Sequence, residues 1–116
     1  MVKKYIEIKK DNLVVASQVE IADNPISRMI GLMFSKNLGE RDGLLISPCN
    51  SIHTFFMRYE LDIVFLSRDN KIVKIIRKMK PWRMTWMYFR AAKVLEMMGG
   101  TLPAEVEAGD ELNINV

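Results

Sequence analysis

Leu61-Asp-Ile-Val-Phe-Leu-Ser-Arg-Asp-Asn-Lys-Ile-Val-Lys-Ile-Ile-Arg77 is the stretch on which the fold class turns. Its first six residues are apolar on both faces except for Asp62, the pattern of a central strand covered from both sides. Arg68-Asp69-Asn70 supplies turn chemistry, and Lys71 to Arg77 reads as the return strand, so the two should pair as a hairpin. Working outward, Tyr5 to Lys9, Leu13 to Ile21, Gly43 to Ser47, Ile52 to Met57 and Val94 to Met97 read as further strands. A last strand follows through Leu112, Ile114 and Val116. One helix interrupts the series. Asn24 suits its cap and Pro25 its first turn, and Ile26, Met29, Ile30 and Met33 then form one apolar stripe. Leu102 to Glu107 reads as a helical turn. The pattern predicts a mainly β domain: a jelly-roll-like sandwich or distorted barrel of about eight short strands with one or two short helices.

The 116 residues fit a single domain, residues 1–116, and 49% hydrophobic with 27% charged residues is a globular composition. One cysteine, Cys49, excludes an intrachain disulfide. No apolar run approaches the roughly 20 residues that span a bilayer. Charges interrupt every apolar pair near Met1, so no signal-peptide core is present. A cytoplasmic protein without membrane contact is the expectation. The net charge of +3 is unevenly spread: residues 70 to 95 hold eight Lys or Arg and no acid, and residues 96 to 116 hold five acids and no base. Either the two segments neighbour and neutralise each other, or a positive surface stays open. Neutralisation is the expectation, because +3 is small for a dedicated nucleic-acid binder.

Gly31-Leu32-Met33, Gly43-Leu44-Leu45, His53-Thr54 with Met57, and Asp62-Ile-Val-Phe65-Leu66 stand in that order. Pro81-Trp82, Val94-Leu95-Glu96 with Gly100, and Gly109-Asp110 complete the series. This ordered set resembles the domain-of-unknown-function family numbered 192, over roughly residues 13 to 116. The resemblance implies a mainly β, jelly-roll-like sandwich with short helical insertions. It implies no established activity, cofactor or catalytic residue.

Five residues form a candidate polar site: Cys49, His53, Thr54, Asp62 and Glu96. A thiol beside an imidazole oriented by a carboxylate can ionise and attack. Residues four apart in a strand sit about 13 Å apart, however, so Cys49 and His53 meet only if residues 48 to 51 curl back. A small buried thiol and a hydrogen-bonded histidine are the plainer reading. Asp62 and Glu96 each sit inside an apolar strand and need a donor or a proton, with His53, Thr54, Arg28 and Arg58 as available donors. His53, Asp62 and Glu96 are thus expected to be buried, with at least two sharing a network. That arrangement would serve either as a structural network or as a pocket for a ligand or a proton. One Cys and one His without paired spacing give no metal site, and no cofactor fingerprint is present.

Lys71, Lys74, Arg77, Lys78 and Arg83, interleaved with Trp82 and Trp86, form a candidate anion-binding segment. Cations there would hold phosphates while rings stack bases. Three functional readings follow, in order. The first is a non-enzymatic accessory domain that binds a small ligand or a protein partner. The second is a small enzyme using His53, Asp62 and Glu96, with Cys49. The third is a nucleic-acid binder through residues 71 to 93.

Overall fold

A computed structural model describes residues 5–24, 27–28 and 37–115. Its strands are β1 (Ile6–Lys10), β2 (Leu13–Ala22), β3 (Gly43–Ile46), β4 (Leu61–Leu66), β5 (Ile72–Met79), β6 (Lys93–Met98) and β7 (Asn113–Asn115). They form one sheet in the order β5-β4-β6-β3-β2-β1-β7. The sheet curls into a half-barrel, so the expected mainly β class takes its barrel-like form. Among the described residues no helix is long and apolar enough to cross a membrane.

The β4–β5 hairpin lies at one end of the sheet, with β5 as the edge strand and β4 inside it. All six residues of β4 are buried, and the strand lies between β5 and β6, antiparallel to both. Ser67 to Lys71 close the hairpin, with Asn70 at a φ of 65°; Asn tolerates this left-handed conformation better than most residues. Between the pairs Leu61↔Met79 and Ile63↔Ile76, β5 advances one residue more than β4, which is a β-bulge. Lys78 occupies it with a φ of 52°.

Strand alternation sorts the buried side chains into two cores. Ile8, Val19, Leu45, Val64, Leu66, Leu95 and Met97 fill one face, closed by Leu102, Val106 and Leu112 from the C-terminal segment. Leu44, Ile46, Leu61, Ile63, Phe65 and Val94 fill the other, under Ile52, Met57 and Ala91 from two long loops. β2 and β3 are parallel, so a crossover must join them. Its opening is an N-capped turn: Asn24 Oδ1 accepts from Ser27 N at 2.8 Å, and Asn24 O accepts from Arg28 N. The rest of the expected helix, with Pro25, Ile26, Met29, Ile30, Gly31 and Met33, lies outside the described residues.

Two expectations need correction. Ile52 to Met57 is not a strand; it makes only the single bridge His53↔Met84 and then turns at Phe56, whose φ is 66°. Among the described residues seven strands result, close to the eight or so expected. Leu102 to Glu107 is not a helical turn but a pair of tight turns, Val106 N to Pro103 O and Asp110 N to Glu107 O. Arg77 clamps this segment, donating from Nη1 to Leu102 O at 2.8 Å and from Nη2 to Pro103 O and Val106 O. Arg77→Ala strands these carbonyls and should lower stability by about 1–3 kcal/mol. Lys74→Ala, an exposed position on the same strand, should change it by less than about 0.5 kcal/mol in the same urea titration.

Candidate functional site

Asp62 and Glu96 do not share a site. Asp62 alternates with Leu61 and Ile63, so it faces the core that the C-terminal segment closes; Glu96 alternates with Leu95 and Met97 and faces the other core. The sheet itself separates them. Asp62 is fully buried and accepts three backbone hydrogen bonds. Lys78 N reaches Oδ1 at 2.8 Å, and Gly100 N and Leu102 N reach Oδ2 at 2.9 Å each. None of its donors is a side chain. Its role is structural, holding the β5 bulge and the exit of β6 together.

Residues 49 to 54 run alongside residues 83 to 92, tied by Cys49 N to Ala92 O, Tyr88 N to Asn50 O, Thr85 N to Ile52 O and Thr54 N to Arg83 O. This extended course turns Cys49 toward the second core and His53 to solvent, so no thiol–imidazole dyad forms. The Cys49 thiol donates to Ser51 O. Burial pushes it up, against the pull of a backbone contact at Ser51 and of Arg28, while Glu96 adds to the rise. It is not an activated nucleophile. His53 is exposed, contrary to expectation; its Nδ1 accepts from Phe55 N and its ring stacks on Phe55 at 4.9 Å. Thr54 is fully buried. Its hydroxyl donates to Lys80 O at 2.6 Å and accepts from Arg83 N at 2.9 Å, pinning the turn that carries Trp82.

Glu96 sits between Leu44 and Ile63 on the neighbouring strands. Its side chain is buried, and no described residue gives it a hydrogen bond; burial pushes its carboxyl up to about 7. Nearby, the field of Glu96 acts on the Cys49 thiol and on the Tyr59 hydroxyl. Burial pushes Tyr59 up, Arg41 opposes it and Glu96 reinforces it. The Tyr59 hydroxyl and Arg28 Nε are both buried without a hydrogen-bond partner, while Arg28 Nη1 donates to Pro48 O. A polar niche therefore lies within the second core. Sequence reading found Glu96 and Cys49 but missed Tyr59, which has no local signal of its own.

The basic segment divides in two. Its first half meets the backbone of the C-terminal segment: Lys71 and Glu111 form a backbone β-bridge, Ile72 N donates to Asp110 O, and Arg77 clamps residues 102 to 106, while the Asp110 carboxylate pairs with Lys10 at 2.8 Å. Lys78 belongs to the bulge, Lys74 is exposed, and Lys93 Nζ bonds Asn70. Its second half instead docks on residues 50 to 54 and stands open. Trp82, Met84, Trp86, Met87 and Phe89 are 55%, 70%, 85%, 55% and 81% exposed, joined by Phe56 at 45%. Phe56 and Trp82 meet edge to face at 4.7 Å, and Phe55 lies 6.0 Å from Trp82. Residues 49–59 and 80–95 contain no acid, and Arg58, Lys80, Arg83 and Arg90 are exposed among the rings. This ridge was only partly foreseen: Trp82 and Trp86 were singled out, while Phe56 fell within an expected strand that does not form.

The model of the DUF192 family, described as Uncharacterized ACR, matches residues 6–114. The chain belongs to that family. Among curated DUF192 relatives, a UPF0127 protein of Pyrococcus furiosus is 35% identical over 105 residues, covering 84% of this chain and 87% of the relative. Another, from Pyrococcus horikoshii, is 35% identical over 108 residues, covering 87% and 90%. A crystal structure of a protein of unknown function from Novosphingobium aromaticivorans aligns with a TM-score of 0.77 at 20% identity, covering 93% of this chain and 82% of that one. A Sinorhizobium meliloti structure aligns at 0.78 and 24%, covering 98% and 97%. These structures share the fold. No biochemical role comes with the family.

Two outcomes test the division between the two acids. Asp62→Ala strands three amides and should cost about 2–4 kcal/mol in urea unfolding. Asp62→Asn should recover little, because its amide nitrogen would meet donors. For Glu96 the folded carboxyl titrates higher than the unfolded one. Its contribution is therefore intact below about pH 4.5, falls as pH rises, and levels off above about pH 7, a loss of about 3 kcal/mol. Subtracting the profile of Glu96→Gln from that of the parent should isolate this slope; identical profiles would contradict it.

Proposed function

We propose that this DUF192 chain is a non-enzymatic binding module whose working surface is the ridge of residues 53–58 and 80–90. One observation carries the reading: six of the seven large apolar side chains exposed among the described residues gather there. Contiguous apolar exposure of this kind marks interaction sites in soluble proteins, and Trp, Phe, Met and Arg are the residues enriched where partners dock. The ridge is also pre-organised. Thr54, Thr85 and the backbone pairs between residues 50–54 and 83–88 hold it, so little ordering entropy opposes binding. The enzymatic reading loses support because His53, Asp62 and Glu96 do not converge. A half-buried free thiol suits a reducing compartment, which favours a cytoplasmic setting.

A second reading has one observation behind it. A buried carboxyl with a pKa near 7 is poised to exchange a proton, so Glu96 is the residue to watch should any turnover be found.

An anionic aromatic dye, anilinonaphthalene sulfonate, tests the ridge directly. The native protein should bind it with a fluorescence gain, and the double variant Trp86→Ala/Phe89→Ala should lose most of that gain at an unchanged melting temperature. Absence of dye binding by the native protein, or a variant that unfolds, would show that the ridge is packing rather than a docking surface.

A further inference from the structure

Residues 80–90 carry three cations and three large exposed rings: Lys80, Trp82, Arg83, Trp86, Phe89 and Arg90. A protein-docking patch concentrates apolar anchors at its centre and places charge at its rim. Here Arg83 stands between Trp82 and Trp86, and Lys80 and Arg90 flank the run of rings. All six of these side chains are exposed. Arg83 has one modest contact, Nη1 to Trp82 O at 3.4 Å, which leaves the rest of its guanidinium available to an anion. Among the described residues the C-terminal segment pairs through its backbone with residues 70–72 and its Asp110 carboxylate binds Lys10, so none of its acids is bonded to this half of the basic segment. A second copy docked symmetrically by residues 80–90 would set cations against cations, since these residues hold no acid.

We infer that the ridge binds single-stranded nucleic acid, with bases stacked on Trp82, Trp86 and Phe89 and phosphates held by Lys80, Arg83 and Arg90; this rests on the reading of the ridge as a binding surface. Every base offers a π-face, so stacking on exposed rings tolerates sequence. Met84 and Met87 between the rings supply deformable thioether contacts for bases of different size. Duplex DNA hides its base faces and offers only its phosphates to such a surface. With three phosphate contacts and a net charge of only +3, binding is weak and salt-sensitive, in the range of about 1–100 μM that non-specific contacts give.

The test is fluorescence anisotropy of a labelled 15-nucleotide oligothymidylate, with tryptophan quenching read in parallel, at salt from 20 to 200 mM. Poly-glutamate, duplex DNA of equal length and phosphatidylserine vesicles serve as competing anions. The expected result is binding of the single strand with quenching and a log–log salt slope of about −2. Trp86→Ala should weaken binding on the order of tenfold. Arg83→Ala/Arg90→Ala should flatten the slope to less than half, with circular dichroism unchanged in both. No binding at 20 mM salt, equal binding of poly-glutamate or duplex, or binding of vesicles alone would each overturn the inference. If dye binding at the ridge persists while the oligonucleotide fails, only this inference falls and the binding-surface reading stands.

Discussion

Three amide groups converge on one carboxylate. Lys78 N comes from the bulge in β5, Gly100 N and Leu102 N from the exit of β6, and all three end on Asp62 in the strand between them. The bulge leaves an amide without a ladder partner, and the turn after β6 leaves two more. A buried orphan amide costs about 1–3 kcal/mol, so one acid here permits three departures from regular pairing. The consequences reach outward. The turn after β6 launches the C-terminal segment over the first core, where Arg77 fastens it. That placement pairs the C-terminal segment with residues 70–77 through its backbone rather than with residues 80–90.

On the opposite side of the sheet, residues 49–59 act as a wall with two different faces. Cys49, Met57 and Tyr59 turn inward to the second core and to Glu96, while His53 and Phe56 turn outward to the ridge. The wall is held by backbone bonds to residues 83–92, so the niche and the ridge are two sides of one element. Glu96 lacks what Asp62 has, a set of donors, and this difference in satisfaction separates a structural acid from a chemically available one.

The strands were legible because β4 and its neighbours carry strong apolar patterns and the two hairpin turns place Asp11 and Asn70 where φ is positive. The hairpins β1–β2 and β4–β5 follow directly from Asp11-Asn12 and Asp69-Asn70. The parallel pairing of β2 with β3 is a long-range choice with no local signature. Residues 52–57 misled because Ile52 and Thr54 are β-favouring residues two apart, followed by apolar Phe55 to Met57, yet a left-handed Phe56 ends any strand. Glu96 and Asp62 were recognised as anomalous acids, but their partners were sought among side chains. Backbone amides leave no mark in residue identity, and the face of a sheet on which an acid falls depends on register. His53 was placed inside as a donor for the buried acids, although its alternation with buried Ile52 and Thr54 puts it outside.

Asp62 as the anchor of the sheet's departures from regular pairing is the central claim, and native-state hydrogen exchange of its three donors is the measurement that addresses it. Amides of Lys78, Gly100 and Leu102 should exchange only through the opening that also exposes Val64 and Leu95, with matching free energies. If those three amides exchange by small local fluctuations while Val64 and Leu95 stay protected, the carboxylate is not what holds these segments and the account is contradicted.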